Sequence, residues 1–405
     1  MKAYERLINY AKVWTTSVED AECIPSSDRE LVLARQLVKE LKDLGIKDAC
    51  MDEHGYVYGS LAATPGKEDV PALAFISHMD TAPDASGENV KPQLIPDYNG
   101  EDIELGSSGK YLTLADFPHL ASLKGRTLIT TDGTTLLGAD DKAGIAEIMT
   151  VLESLIHGDA PHGKICVAFT PDEEIGSGAE ELQLDKLGAV YGYTVDGSEE
   201  GEIQYENFNA ANAVVKFHGK NVHTGSAKNI MINAAQLAVD FHAALPEKER
   251  PECTEGYEGF YHLYQMDGCV EETTLHYLLR NFTDEGLAEQ KYTLQKLANE
   301  INTKYPAGTA EVEIKDSYSN MKQKIEPCMQ LIEYAVKACE KASVKPLIVP
   351  IRGGTDGARL SFRGLPCPNL GTGGYAFHGI YEHITVEGMD KTVEILLGII
   401  AQFCA

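Results

Sequence analysis

Two adjacent aspartates, Asp140 and Asp141, precede a run in which Ile145, Ile148, Met149, Leu152 and Leu155 recur at helical spacing. Carboxylates at a helix start suit its exposed N–H groups and the positive end of its dipole. Taken alone, the pair asks for nothing more. Three further clusters change its meaning. His78-Met79-Asp80 ends the apolar run 71–77, Asp172-Glu173-Glu174 follows the apolar run 164–170, and Asp196 ends the run 188–195. His378 and Glu382 come after the glycine-rich stretch 371–374. Like charges crowded at a strand end repel unless a cation joins them. Imidazole and carboxylate donors without thiolates suit zinc, and would also accept manganese or cobalt. The i, i+2 spacing points His78 and Asp80 to one side if the strand persists, so Asp80 could orient the imidazole from behind.

The elements that must position these groups follow from periodicity. Runs 71–77, 164–170 and 188–195 read as strands buried on both faces, and 56–62 and 127–131 as further strands. Helices are expected over much of 1–45 and over 141–157. Residues 84–125 are polar and turn-rich and read as an insertion over the surface. From about 207 the pattern changes to strand, helix, two strands, helix, strand (213–218, 231–245, 259–265, 273–281, 284–304, 310–315). After 317 the first pattern returns, with helix 325–341, strands 346–351 and 366–370, and helix 389–403. The expected fold class is α/β: a mixed sheet covered by helices, with an inserted smaller α+β domain. The larger domain, which carries all of these groups, comprises 1–207 and 317–405, and the insert 208–316.

A length of 405 residues accommodates two domains. The net charge of −27 excludes nucleic acid and anionic membranes as partners, because phosphate binding needs Lys and Arg to release counterions. Residues 1–11 carry Lys2, Glu5 and Arg6 among apolar positions and lack a signal-peptide core. The apolar stretch 393–403 is too short to span a bilayer, so a cytoplasmic protein is expected. Nine cysteines, an odd number with no C-x-x-C pair, argue against a disulfide framework and a thiolate zinc site. Gly371 to Ala376 fits G-x-G-x-x-A, but no helix pattern follows it, so it is not a dinucleotide fingerprint.

The order His78-x-Asp80, Asp140-Asp141, Glu173-Glu174, Asp196, His378 resembles the M20 family of metallopeptidases, and within it the tripeptide aminopeptidases. The phrases HMDTAPD, LLGADDKAGIAEI, FTPDEEIGSGAE, TVDGSEEGEIQYENFNAA, VHTGSAKN and IRGGTDGA carry the resemblance along the whole chain. It implies that His78 and Asp196 hold one zinc, that Glu174 and His378 hold a second, and that Asp140 bridges them through a cis Asp140–Asp141 peptide. It implies Glu173 as general base. Two metals about 3.5–4 Å apart would share a water that becomes hydroxide near neutral pH. Glu173 would take its proton and return it to the leaving amine. The insert would be a lid and the contact of a homodimer, with His223 reaching an active site to stabilise the oxyanion. Arg280 and Arg352 would hold the peptide's terminal carboxylate as bidentate forks. The implied activity is removal of the N-terminal residue from tripeptides. Rival readings are a dipeptidase, a carboxypeptidase or an acylamino-acid deacylase with the same metal set. A non-catalytic peptide-binding homologue is opposed by the presence of Glu173 and all five ligands.

Overall fold

The strands Leu73–His78 and Ile165–Thr170 are buried at every position, as strands covered on both faces must be. They lie at the centre of an eight-stranded mixed sheet in a computed structural model that describes residues 1–405. In order the strands are Cys50–Met51, Val57–Leu61, Ile165–Thr170, Leu73–His78, Tyr191–Gly197, Asn369–Gly371, Glu202–Gln204 and Leu347–Ile348. The middle three run parallel to one another. The helix Ala139–His157 packs across Leu73–His78 and Tyr191–Gly197, beside Ala3–Ala11 and Val386–Phe403. Val386–Phe403 turns Met389, Thr392, Ile395, Leu396, Ile399 and Ile400 inward, a three-and-four spacing that gives one apolar stripe. Its start is fixed by Thr385, whose hydroxyl accepts the Gly388 N–H at 2.9 Å. No helix is long and apolar enough to cross a membrane.

The chain divides into two units. The larger comprises Met1–Tyr205, Met321–Val349 and Thr355–Ala405, and the smaller Glu206–Asn320 and Pro350–Gly354. The smaller unit is an antiparallel sheet in the order Phe260–Gly268, Glu272–Asn281, Asn209–His218, Ala310–Tyr318. Helices Ala234–Ala243 and Asp284–Lys304 pack against it, burying Phe217, Phe241, Leu275, Tyr277 and Leu294. The segment Pro350–Gly354 departs from the sequence reading, which kept all of 317–405 together. Ile351 donates its N–H to Glu206 O at 2.8 Å and bridges to Asn207, so this short strap belongs to the smaller unit.

Residues 84–125 also differ from expectation. They are not a mere surface insertion. Gln93–Ile95 pairs with Leu128–Thr130 in a second four-stranded sheet completed by His383–Thr385 and Gly374–Tyr375. Tyr98, Leu105, Leu112, Leu120 and Leu123 form a core of their own with Leu128 and Tyr375. Strands of two or three residues are too short to show a period of two, which hid them from the sequence.

One buried acid stands apart from this order. Glu147, on the helix Ala139–His157, is fully buried, and neither carboxylate oxygen has a hydrogen-bond partner. Burial pushes its pKa well above the ordinary value. A folded-state pKa above the unfolded one means stability that is complete below the unfolded pKa and lost as pH rises toward the folded one. The isosteric Glu147→Met variant is therefore expected to be more stable by about 1–3 kcal/mol. Its advantage in thermal melts should widen between pH 5 and pH 8. Equal melting points across that range would show that Glu147 is not a desolvated acid.

Candidate metal centre

Three parallel strands end at one place. The register pairs His78 with Thr170, and Ile76 with Thr194. Residues just beyond, Asp80, Glu173, Glu174 and Asp196, therefore fall at the carboxyl edge of the sheet, where open α/β folds place their chemistry. Asp172, with φ of 55°, turns the chain there, and Ser177 N–H closes the turn on Asp172 O at 2.9 Å. Asp140 arrives from the helix side. Gly138 adopts φ of 75°, and the Asp140–Asp141 peptide is cis. Gly144 lets that helix press onto the sheet, since a Cβ there would collide with Val195 O and Ser77 Oγ. His378, with φ of 63°, sits in the loop of the hairpin formed by Gly374–Tyr375 and His383–Thr385.

These elements bring seven predicted residues of the larger unit together. His78 Nε2 lies 2.9 Å from Asp140 Oδ1 and 3.3 Å from Asp196 Oδ1. His378 Nε2 lies 3.2 Å from Asp140 Oδ2 and 3.0 Å from Glu174 Oε2. Each oxygen of Asp140 thus faces a different imidazole. Asp80 is fully buried behind His78. Its Oδ1 is 3.2 Å from Nδ1 and its carbonyl oxygen 3.1 Å, so Nδ1–H donates to Asp80 and Nε2 is turned toward the carboxylates. Asp80 also accepts the N–H groups of Glu173 at 3.0 Å and Glu174 at 3.1 Å. One carboxylate therefore aligns the ring and the acidic pair.

The electrostatics demand positive charge. Burial alone would lower His78, but Asp196, Asp140 and Asp80 carry it well above its ordinary value. Hydrogen bonds with Asp140 and Glu174 hold His378 at about 11. Burial pushes Glu174 up to about 7, with Asp140 adding to the rise, and Asp196 up to about 6. Burial would raise Asp140 too, yet the two imidazoles keep it below the usual carboxylate range. Glu173 is pushed well up by burial and by Asp196 and Asp356.

The donor set fits divalent cations. His78, Asp140 and Glu174 bring ligand atoms within 4.8 Å of one another, and so do His78, Asp141 and Asp196. Oε1 of Glu174 is buried and accepts no hydrogen bond, an oxygen that a cation would satisfy. Imidazole and carboxylate donors match zinc.

Sequence reasoning left two neighbours without a role. Asp141 accepts the His78 backbone N–H at 3.2 Å through Oδ2, while its Oδ1 is unpartnered. Glu382 accepts N–H groups from Leu137, Gly138 and Asp140. Spacing assigns neither a role, because their partners are backbone groups far along the chain.

Three predicted residues lie in the smaller unit, each with local partners. His223 is exposed, and its Nδ1 accepts the Gly225 N–H at 3.1 Å. Arg280 donates to Leu279 O at 3.0 Å and Ala211 O at 3.4 Å, above the Tyr318 ring. Arg352 donates through Nη1 to Gly256 O and Glu258 O, and through Nη2 to Thr254, while stacking over Phe208 and Phe260.

A buried carboxylate–imidazole centre at the edge of a mixed sheet, with an inserted α+β unit, defines the class. The chain belongs to peptidase family M20/M25/M40, whose profile matches residues 132–402. Its similarity to individual proteins extends further. Peptidase T of Desulfitobacterium hafniense is 55% identical over 398 residues, covering 98% of this chain and 97% of that protein. Peptidase T of Bacillus licheniformis is 51% identical over 404 residues, covering 99% and 98%. Among solved structures, aminopeptidase PepT from Bacillus cereus superposes with a TM-score of 0.78 at 25% identity, covering 100% of this chain and 98% of that one. A tripeptidase from Staphylococcus aureus has the same fold, with a TM-score of 0.78 at 23% identity over 99% and 98%.

Proposed function

We propose that this protein is a metal-dependent aminopeptidase that releases the N-terminal residue from tripeptides. The observation that carries the chemistry is Asp140, whose two oxygens face two different imidazoles. The substrate class rests on likeness to peptidase T along nearly the whole chain. Two zinc ions per subunit are assigned, with manganese or cobalt as substitutes: His78 and Asp196 would hold one, Glu174 and His378 would hold the other, and Asp140 would serve both. The chemistry that zinc supplies there is acidification of water and polarisation of the scissile carbonyl.

The chain's own groups do the rest. Asp80 keeps the His78 ring in the tautomer that presents Nε2. Glu173 takes a proton from the attacking water and delivers it to the departing amine. From the smaller unit, His223 is assigned to the oxyanion, and Arg280 and Arg352 to the terminal carboxylate. Arg352 would have to exchange its present carbonyl partners for substrate. The smaller unit is further assigned as lid and as the contact of a cytoplasmic homodimer. A monomer in sedimentation would remove the dimer.

The deciding assay offers a dipeptide, a tripeptide, a tetrapeptide and an N-acetylated tripeptide. Free tripeptide should be turned over best, lose turnover on chelation and regain it with zinc. Preference for the acetylated or the two-residue substrate would move the protein to a deacylase or dipeptidase. In the same assay Arg280→Ala and Arg352→Ala should raise KM for the tripeptide, and unchanged KM would remove the arginines from substrate binding.

A further inference from the structure

We propose that Glu382 is a positioning residue that sets Asp140 in place before any cation arrives. The inference rests on reading Asp140 as the ligand shared by both metal centres. Glu382 is 1% exposed, and its whole carboxylate is spent on one stretch of backbone. Oε2 accepts the N–H groups of Leu137 and Gly138, both at 2.7 Å, and Oε1 accepts that of Asp140 at 2.9 Å. Successive N–H groups that converge in this way form an anion-binding concavity. Its occupant here comes from the same chain, more than 240 residues on.

The arrangement grips Asp140 from two sides. Its backbone N–H is held by Glu382, and its side-chain Oδ2 lies 3.2 Å from His378 Nε2. Both gripping residues ride on one short loop, and the Glu382 N–H closes a turn on Gly379 O at 3.2 Å. The distance between the loop that carries Asp140 and the loop that carries His378 is therefore set twice. One tether passes through the metal-binding side chains. The other passes behind them and needs no metal. Without the second tether, the segment Leu137 to Asp140 would leave three N–H groups unpaired, two of them buried, and lose its register to His378.

Glu382→Gln separates the parts of this grip. A glutamine oxygen can still take the Leu137 and Gly138 donors. Its amide N–H would then face the Asp140 N–H, donor against donor. The variant and the wild type are stripped with chelator and titrated with cobalt(II), whose visible bands count the equivalents bound. The wild type should take two equivalents. In Glu382→Gln the weaker step should fall by about 10–100-fold, the usual cost of losing a group that supports a metal ligand. The rise in Tm on cobalt loading should shrink with it. If Glu382 were only structural, Tm would fall equally in stripped and loaded forms and cobalt affinity would not move, which overturns the proposal.

Should the variant not fold, amide exchange in stripped wild-type protein decides. The Leu137, Gly138 and Asp140 amides should exchange as slowly without cobalt as with it, and rapid exchange in the stripped form would refute the clamp. A wild type that takes up no cobalt would instead defeat the proposed function, and the exchange rates would still test Glu382.

Discussion

Glutamine in place of Glu173 lowers kcat on a free tripeptide by about 10²–10⁴-fold, the usual worth of a positioned general base, while metal content stays at the wild-type level. The two halves of this expectation come from different parts of the geometry. The ligand atoms that converge belong to His78, Asp140, Asp141, Glu174 and Asp196, with His378 close against Asp140 and Glu174; no Glu173 oxygen is among them. Asp80 aligns Glu173 through its backbone N–H, which a side-chain change leaves in place. Glutamine keeps the size and the polar end of the side chain but cannot accept a proton from water and pass it on. KM should change little, because the lost interaction belongs to proton transfer rather than to binding. Kinetics on the tripeptide and metal analysis of the same sample supply the check. Turnover within about three-fold of wild type would end the general-base assignment, since one lost proton-transfer group costs far more than that. Loss of a metal equivalent would instead make Glu173 a ligand.

What the sequence exposes and what it hides follow from the physics of each element. Leu73–His78 and Ile165–Thr170 are legible because a strand covered on both faces must be apolar throughout. Once those strands are parallel neighbours, the acidic and imidazole residues just past their ends have to meet. The hairpin loop that carries His378 is not legible, because its flanking strand Gly374–Tyr375 is two residues long. Roles came through resemblance, since spacing alone cannot say which carboxylate is a base and which a ligand. Glu382 gains no role from the sequence because a carboxylate bound to backbone N–H groups leaves no mark on the identity of its partners. Arg352 shows the opposite difficulty. A guanidinium beside two glycines reads as a free fork, yet its N–H groups are engaged by Thr254, Gly256 and Glu258. Where an arginine sends its five donors is decided by chain packing, not by its neighbours in sequence.

Alanine at position 140 should cost more metal than alanine at either imidazole. His78→Ala removes a donor beside Asp196, and His378→Ala removes one beside Glu174. Asp140 stands in both groups, with Oδ1 2.9 Å from His78 Nε2 and Oδ2 3.2 Å from His378 Nε2. Asp140→Ala should therefore hold neither equivalent at a zinc concentration that saturates the wild type, whereas His378→Ala should keep about one. Loss of several kcal/mol of transition-state stabilisation from the metals predicts a fall in kcat/KM of about 10³-fold or more. Metal content after dialysis, with a melting curve to establish that each variant is folded, provides the comparison. The competing outcome has a physical source in the same structure. Asp141 lies next in the chain, shares a cluster with His78 and Asp196, and has an Oδ1 that accepts no hydrogen bond. If Asp140→Ala retains one tight equivalent and Asp141→Ala loses both, the shared ligand is Asp141. The N–H groups of Leu137, Gly138 and Asp140 would then hold the backbone ahead of the shared ligand rather than the ligand's own amide. That result would separate the metal assignment from the loop that Glu382 grips, because the same three hydrogen bonds would support a different carboxylate.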